Sequence, residues 1–187
     1  MSTKSSASIY QLKVTLRDSK PPIWRRLLVK DSTTLDELHE IIQRAMGWGG
    51  HHLHLFDVNG ENYSIPHPDD YEPMIDERKY QLKDIVPAEK YKFGYDYDFG
   101  DYWQHQILVE KILPLEPDKK YPVCIKGKRA CPPDDVGGVW GYDTFLEAIK
   151  DPKHSEHKMY VEWIGDDFDP EYFDIEYINQ ILQKSSD

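Results

Sequence analysis

An α+β fold is predicted by this sequence of 187 residues: a strand–strand–helix–strand–strand unit, extended by a second hairpin and C-terminal helices. Three observations carry that expectation. Alternating apolar residues at period two open the chain. One amphipathic helix follows them with start and stop signals at its two ends. A second pair of alternating aromatic segments then gives way to helical spacing in the last third of the chain.

Tyr10, Leu12, Val14 and Leu16 alternate with Gln11, Lys13, Thr15 and Arg17, the pattern of a half-buried strand. Pro21-Pro22 interrupts, and Ile23 to Val29 resumes as a second strand. Thr34 and Glu37 stand at capping-box spacing, so each side chain can satisfy a free backbone N–H at a helix start. Leu35, Leu38, Ile41, Ile42, Ala45 and Met46 then share one face, and Gly47 can take the left-handed conformation that ends the helix. Leu53 to Val58 reads as a third strand, Asn59-Gly60 as a hairpin turn and Tyr63 to Ile65 as a fourth strand. This order is that of a β-grasp unit.

Residues 66–90 are rich in proline and charge, which predicts an irregular connection with a short helix near Leu82 to Ile85. Phe93 to Phe99 and Trp103 to Ile112 read as two further strands, joined at Gly100-Asp101, where glycine would supply a positive φ. Tyr142, Phe145, Leu146 and Ile149 mark a helix ending before Pro152, whereas Met159 to Ile164 fits a strand or a helix equally. Asp169-Pro170 has the form of an N-cap followed by a first-turn proline, with Ile175, Ile178, Ile181 and Leu182 lining a last helix. No repeat or linker divides the chain, so residues 9–184 are expected to form a single domain behind a disordered polar tail, residues 1–8.

Composition narrows the function classes. With 30% charged and 13% aromatic residues the chain can build a packed core. No apolar run approaches the roughly 18 residues of a membrane span, and the polar N-terminus lacks a secretory apolar stretch, which predicts a cytoplasmic protein. A net charge of −11 disfavours general nucleic-acid binding, because phosphate affinity comes mainly from Lys and Arg. Residues 1–30 nevertheless carry seven basic groups against one acidic, so Lys13, Arg17, Arg25 and Arg26 form a candidate basic edge. Cys124 and Cys131 are too few for a disulfide framework and are expected as free thiols.

The segment Cys131-Pro132-Pro133-Asp134-Asp135-Val136-Gly137-Gly138 is the best candidate site. Prolines stiffen it, carboxylates follow, and paired glycines allow close backbone approach. Acidic neighbours are expected to raise the thiol pKa, which disfavours Cys131 as a nucleophile and moves the weight to the carboxylates. Cys131, Asp134, Asp135, Gly137 and Gly138, with Trp163 as a rim aromatic, are the expected ligand-binding residues. Alternatively, the aspartates cap the Tyr142 helix or bond nearby backbone. Asp96, Asp98 and Asp101, with His105 beyond, form a second acidic group, in which alternation puts Asp96 and Asp98 on one face. If that hairpin packs against the loop, Asp98, Asp101, Asp134 and Asp135 could hold Mg²⁺ or Ca²⁺, which favour oxygen ligands. His51, His52 and His54, and the pair His154 and His157, lack the spacings of known zinc motifs and are expected to be solvated or hydrogen-bonded. His52 and His54 would share a strand face.

Five motifs in order carry a family resemblance. They are Pro21-Pro22-Ile23-Trp24-Arg25-Arg26; Met46-Gly47-Trp48 with His52-Leu53; Tyr97-Asp98-Phe99-Gly100-Asp101; the Cys131 to Gly138 segment; and Glu162-Trp163-Ile164-Gly165 with Phe168-Asp169-Pro170-Glu171. From about Tyr10 to Leu182 the chain resembles the root-inducing-plasmid ORF-three-like family, which also carries a transposon-passenger TnpR-like, or resolvase, label. The resemblance implies neither a reaction nor catalytic residues. Serine-recombinase chemistry needs arginines ringed about a nucleophilic serine, and the six arginines here (17, 25, 26, 44, 78 and 129) are scattered.

The expectation is therefore a binding or interaction domain for a protein or small-molecule ligand, with its site at the Cys131 loop. A metal-assisted hydrolase built on the clustered carboxylates is the rival, and a DNA-associated, resolvase-like protein the third alternative. No Walker loop, Gly-x-Ser-x-Gly elbow or Gly-rich dinucleotide turn is present, so no cofactor follows from the sequence.

Overall fold

The computed structural model describes residues 7–184. Its centre is an eight-stranded sheet built from β1 (Ser8–Leu16), β2 (Trp24–Lys30), β3 (His54–Val58), β4 (Glu61–Ser64), β5 (Ile75–Asp76), β6 (Lys92–Tyr97), β7 (Trp103–Pro114) and β8 (Val123–Lys128). The order across the sheet is β5-β4-β3-β6-β7-β1-β2-β8, and every pairing except β4–β5 is antiparallel. Five helices complete an α+β fold: α1 (Leu35–Met46), α2 (Leu82–Ile85), α3 (Gly138–Lys150), α4 (His157–Ile164) and α5 (Ile175–Gln183).

The strand–strand–helix–strand–strand order appears as β1-β2-α1-β3-β4. The second hairpin, β6–β7, extends the unit from its middle, because β6 pairs with β3 and β7 with β1. This insertion decides what the site is made of. It lays the β6–β7 turn beside the chain entering β3, where the Asp98 N–H donates to the Leu53 carbonyl at 2.8 Å.

Helix α1 obeys its sequence signals. The capping box is formed, with the Thr34 N–H donating to Glu37 Oε2 at 2.9 Å, and Gly47 ends the helix at φ 115°. Leu35, Leu38, Ile41, Ile42, Ala45 and Met46 are all buried and face the sheet residues Leu12, Val14, Leu27 and Tyr97 in one core. Full burial of a Leu or Ile side chain contributes about 1.5–3 kcal/mol, so this face rather than intrinsic propensity fixes the helix. Helix α5 covers β8 and touches α1, and Asn179 clamps both the N–H and the carbonyl of Cys124 at 2.7 and 2.9 Å.

Several local expectations change. Residues 157–164 are helical, with Tyr160 turned inward and Met159 and Trp163 exposed. The last helix starts at Ile175 and not after Asp169-Pro170. Asp174 is its N-cap, accepting from the Tyr177 N–H at 2.9 Å, while Asp169 is spent on the Glu171 N–H in a turn of its own. The β6–β7 turn takes its positive φ at Asp98 and Tyr102, both 59°, and not at Gly100. Strand β8 carries no clear alternation and was absent from the sequence expectation. Residues 1–6 of the expected tail lie outside the described residues, and Ser8 already belongs to β1.

Candidate functional site

Strand β6 runs Phe93, Tyr95 and Tyr97 into the core at period two, and then stops. Asp98 follows in the left-handed region, which breaks the alternation and swings its carboxylate away from the Asp96 face, toward the segment before β3. A non-glycine residue in this region is uncommon, although aspartate tolerates it better than most. Asp98 is 6% exposed; its Oδ1 accepts from the Gly100 N–H at 2.9 Å, and its Oδ2 lies 3.8 Å from His52 Nε2.

The Cys131 loop arrives from the other side. Trp48 is buried, and its indole N–H donates to the Pro132 carbonyl at 3.0 Å, which pins the stiff end of the loop to the end of α1. At the far end the Gly137 N–H donates to Asp101 Oδ2 at 3.0 Å, and Gly138 lies directly against the Asp101 backbone. Between these two anchors Asp135 adopts φ 60° and puts Oδ1 3.8 Å from the same His52 Nε2. Loop and turn therefore meet, and His52 stands between their carboxylates.

The donor atoms of His52, Asp98 and Asp135 all lie within 4.8 Å of one another. Both 3.8 Å separations are too long for hydrogen bonds, which fall at about 2.7–3.2 Å. Ligands bound at roughly 2.1 Å around one ion stand about 3.0–3.4 Å apart, so closing the triad on a cation draws the donors inward from separations of 3.8 Å to His52 and up to 4.8 Å across the set. One imidazole and two carboxylates suit Zn²⁺ or Mn²⁺ better than Ca²⁺, whose sites are all oxygen.

Two further groups face this triad. Asp134 has one carboxylate oxygen buried with no hydrogen-bond partner. Burial raises its pKa, His52 opposes the rise, and Asp135 and Asp98 reinforce it. Tyr97 is fully buried, and the backbone N–H groups of His52 and His51 approach its hydroxyl. Burial, then the Asp134 carboxylate, pushes its pKa up to about 12, against the backbone N–H groups of His52 and His51. Trp163 stands at the rim, lining a shallow depression with Asp135, Val136, Met159 and Tyr160.

Other expected residues go elsewhere. Asp101 binds the Gly137 backbone and is absent from the triad, so within the expected set Asp98 and Asp135 are the pair that converge with a third donor. Neither Asp134 nor Asp135 caps α3: Gly137 is its N-cap, and the side chain bonded there is that of Asp101, on the Gly137 N–H. Cys131 has a thiol pKa raised well above the usual value, but burial is the first cause and Asp134 only a minor one, while Arg25 opposes both. His105 is wholly buried against Trp48 and the Tyr95 carbonyl, away from the acids. His52 lies outside β3, which starts at His54, and the two make no common site: His54 binds the fully buried Glu77 at 2.9 and 3.0 Å and stacks on His39 at 3.5 Å.

His52 is the residue that sequence reasoning weighed only with the other histidines and did not join to the acids. Its signal was its place two residues before β3, which becomes informative only once β3 is paired with β6. Of the candidate basic edge, Arg17 stays exposed while the other three are engaged. Arg25 is 2% exposed, Arg26 is held by Glu110 at 2.6 and 2.8 Å, and Lys13 and Arg26 lie over the Trp24 ring. Among the described residues no helix is long and apolar enough to cross a membrane.

Comparison with known proteins places the chain in a wider group. The family described as "Plasmid pRiA4b ORF-3-like protein" matches residues 8–177. The chain is 38% identical over 178 residues to "Uncharacterized protein y4hQ" of Sinorhizobium fredii, covering 94% of this chain and 91% of that protein. It is also similar to the crystal structure of a protein of unknown function, MM3350 from Methanosarcina mazei Go1. That likeness has a TM-score of 0.83 at 42% identity, over 92% of this chain and 98% of the other.

Proposed function

The chain belongs to the plasmid pRiA4b ORF-3-like family, and we propose that it is a ligand-binding domain whose site is a divalent-cation centre formed by His52, Asp98 and Asp135. One observation carries the proposal: three donors from three separate segments, two of them on left-handed aspartates, stand around a gap too wide for hydrogen bonds. Backbone strain of this kind costs about 1–3 kcal/mol and persists where the surroundings over-determine it. Asp134, with one buried carboxylate oxygen unpartnered beside the triad, is the group a bound ion or its water would satisfy. Asp101, Gly137 and Gly138 hold the loop to the turn, and Cys131 anchors it in the core. Trp163 offers an aromatic edge to a small organic ligand reaching the ion.

Titration calorimetry of the intact chain with Zn²⁺, Mn²⁺, Mg²⁺ and Ca²⁺ tests this. One saturable site for Zn²⁺ or Mn²⁺ is expected, weakened at least about tenfold by His52→Ala. No saturable binding of any of the four removes the proposal. A small-molecule partner in a cytoplasmic setting belongs to the same proposal, supported by the two free cysteines, Cys124 and Cys131.

Metal-assisted hydrolysis is a second reading, favoured by Asp134. A carboxyl with a raised pKa beside three protein ligands is placed to accept a proton from metal-bound water, and three ligands leave a coordination position open. Mn²⁺-dependent cleavage of an activated phosphate or carboxylate ester, lost in Asp134→Asn, is the expected result; metal binding without any turnover would leave the binding domain alone.

A further inference from the structure

A cavity of about 320 Å³ lies behind the Cys131 loop, between the end of α1 and helix α5. It is separate from the cation centre: Cys131 lines it, whereas Asp135 faces the other side of the loop. Met46, Trp48, Phe173, Ile178 and Ile181 give it an apolar wall, and its volume falls in the range of small-molecule pockets, roughly 300–1,000 Å³.

The polar part of this wall is unusual. Arg25 reaches it from β2 and is 2% exposed. Its Nε donates to the Ala45 carbonyl at 2.7 Å, Nη1 to the Trp24 and Lys128 carbonyls at 2.9 and 3.0 Å, and Nη2 to the Met46 carbonyl at 3.4 Å. All four acceptors are neutral. A guanidinium has five N–H donors, so one remains on Nη2. The ionisable groups beside it are the thiols of Cys131 and Cys124, which burial keeps protonated. Phe173 lies over the guanidinium at 5.0 Å, a cation–π contact that offsets only part of a buried charge. Arg25 thus closes the C-terminal end of α1 and still leaves a net positive charge in the wall of an apolar cavity.

A second arginine stands at the mouth. Arg44 pairs with Glu40 at 3.0 Å on the exposed side of α1, an interaction worth little in water and easily exchanged. Asp174 also lines the cavity and keeps its charge while accepting from the Tyr177 N–H as the cap of α5, but it forms no ion pair with Arg25, whose ionisable neighbours are the two thiols. One buried uncompensated cation calls for one negative charge. A dianion such as a phosphate monoester would bring a second charge into apolar surroundings, next to Asp174.

We propose that this cavity binds a small monocarboxylic acid with a flat or branched apolar body, its carboxylate between Arg25 and Arg44. The body packs on Trp48, Phe173 and Ile178, and the carboxylate takes the remaining Nη2 donor. The site does not depend on the cation centre.

The test is an amide-resolved NMR titration of the full chain in EDTA with benzoate, indole-3-carboxylate and 4-methylpentanoate, each beside its neutral carboxamide. At least one acid should shift the amides of Met46, Gly47 and Ile178 saturably, with its carboxamide at least tenfold weaker. Arg25→Met removes the closure of α1 and can unfold the chain, so the discriminating variant is Arg44→Gln on the exposed face. It should weaken the acid at least fivefold and leave the carboxamide unchanged. Failure of all three acids to shift these amides overturns the proposal. Equal binding of acid and carboxamide overturns it as well, as does an unchanged acid affinity in Arg44→Gln.

Discussion

Replacing Gly138 with alanine probes the contact that brings loop and turn together. Gly138 has φ +68°, and a Cβ there would overlap the backbone carbonyl oxygen of Asp101. Two costs add. A left-handed L-residue costs about 1–2 kcal/mol, and forcing a methyl into occupied space costs about 1–3 kcal/mol through backbone displacement. Gly60 in the β3–β4 turn is the matched control: its φ is +84° and nothing lies within 4 Å of its Cβ position, so Gly60→Ala carries the first cost alone. Gly138→Ala should therefore be about 1–3 kcal/mol less stable than Gly60→Ala. For a chain of this size that is roughly 2–12 °C in Tm. The displaced loop also moves Asp135 away from Asp98 and His52. A cation at 100 times its Kd stabilises by about 2.7 kcal/mol, so wild type and Gly60→Ala should each gain roughly 5–11 °C with Zn²⁺ or Mn²⁺, and Gly138→Ala almost none. Thermal melts with and without the ion decide it. Equal melting of the two variants, or an undiminished metal shift in Gly138→Ala, refutes the reasoning.

Further outcomes follow from the buried polar groups around the site. Burial, aided by the neighbouring His54, lowers the pKa of His39 to about 3, and burial lowers that of His105 to about 4 against opposing backbone bonds, so both are neutral when folded. The unfolded chain takes up these protons near pH 6.5, so the stability they confer is full above that value and is lost as pH falls toward 4 and then 3. At pH 5 the loss is about 2 kcal/mol per histidine; urea unfolding at pH 7 and pH 5 should show it, with His39→Gln removing about half, and equal stability at the two pH values would contradict it. Trp48→Phe strands the Pro132 carbonyl and should cost about 1–3 kcal/mol while weakening cation binding, as melts and calorimetry would report. Asp98→Asn should abolish cation binding with the fold intact, whereas Asp101→Ala should lower Tm by a few degrees because it frees the Gly137 N–H; the reverse pattern would mean the two roles are misassigned.

What could be read from the residues alone depends on how local the physics is. Helix α1 was legible because its cap, apolar face and terminal glycine all lie within Thr34 to Gly47 and agree with one another. The Asp98 and Asp135 carboxylates were legible as candidates through the composition of their loops. Their third partner was not, because His52 acquires meaning from the β3–β6 pairing, and sheet order is a long-range property. Asp98 was placed on the wrong face for a related reason: period-two alternation holds only while a strand continues, and this one ends at Tyr97. Strand β8 was hidden because it is an edge strand with lysines at two of six positions and a glycine, Gly127, at the spot where Phe173 packs. Arg25 looked like surface charge in the sequence, since nothing nearby announces that the end of α1 needs its donors.

The central claim is that His52, Asp98 and Asp135 are ligands of one divalent ion. Anomalous diffraction at the zinc edge from crystals grown with Zn²⁺ tests it most directly. The predicted result is a single strong peak about 2.1 Å from His52 Nε2 and from one carboxylate oxygen each of Asp98 and Asp135. Zinc bound only at other histidines, with no peak inside this triad, would contradict it.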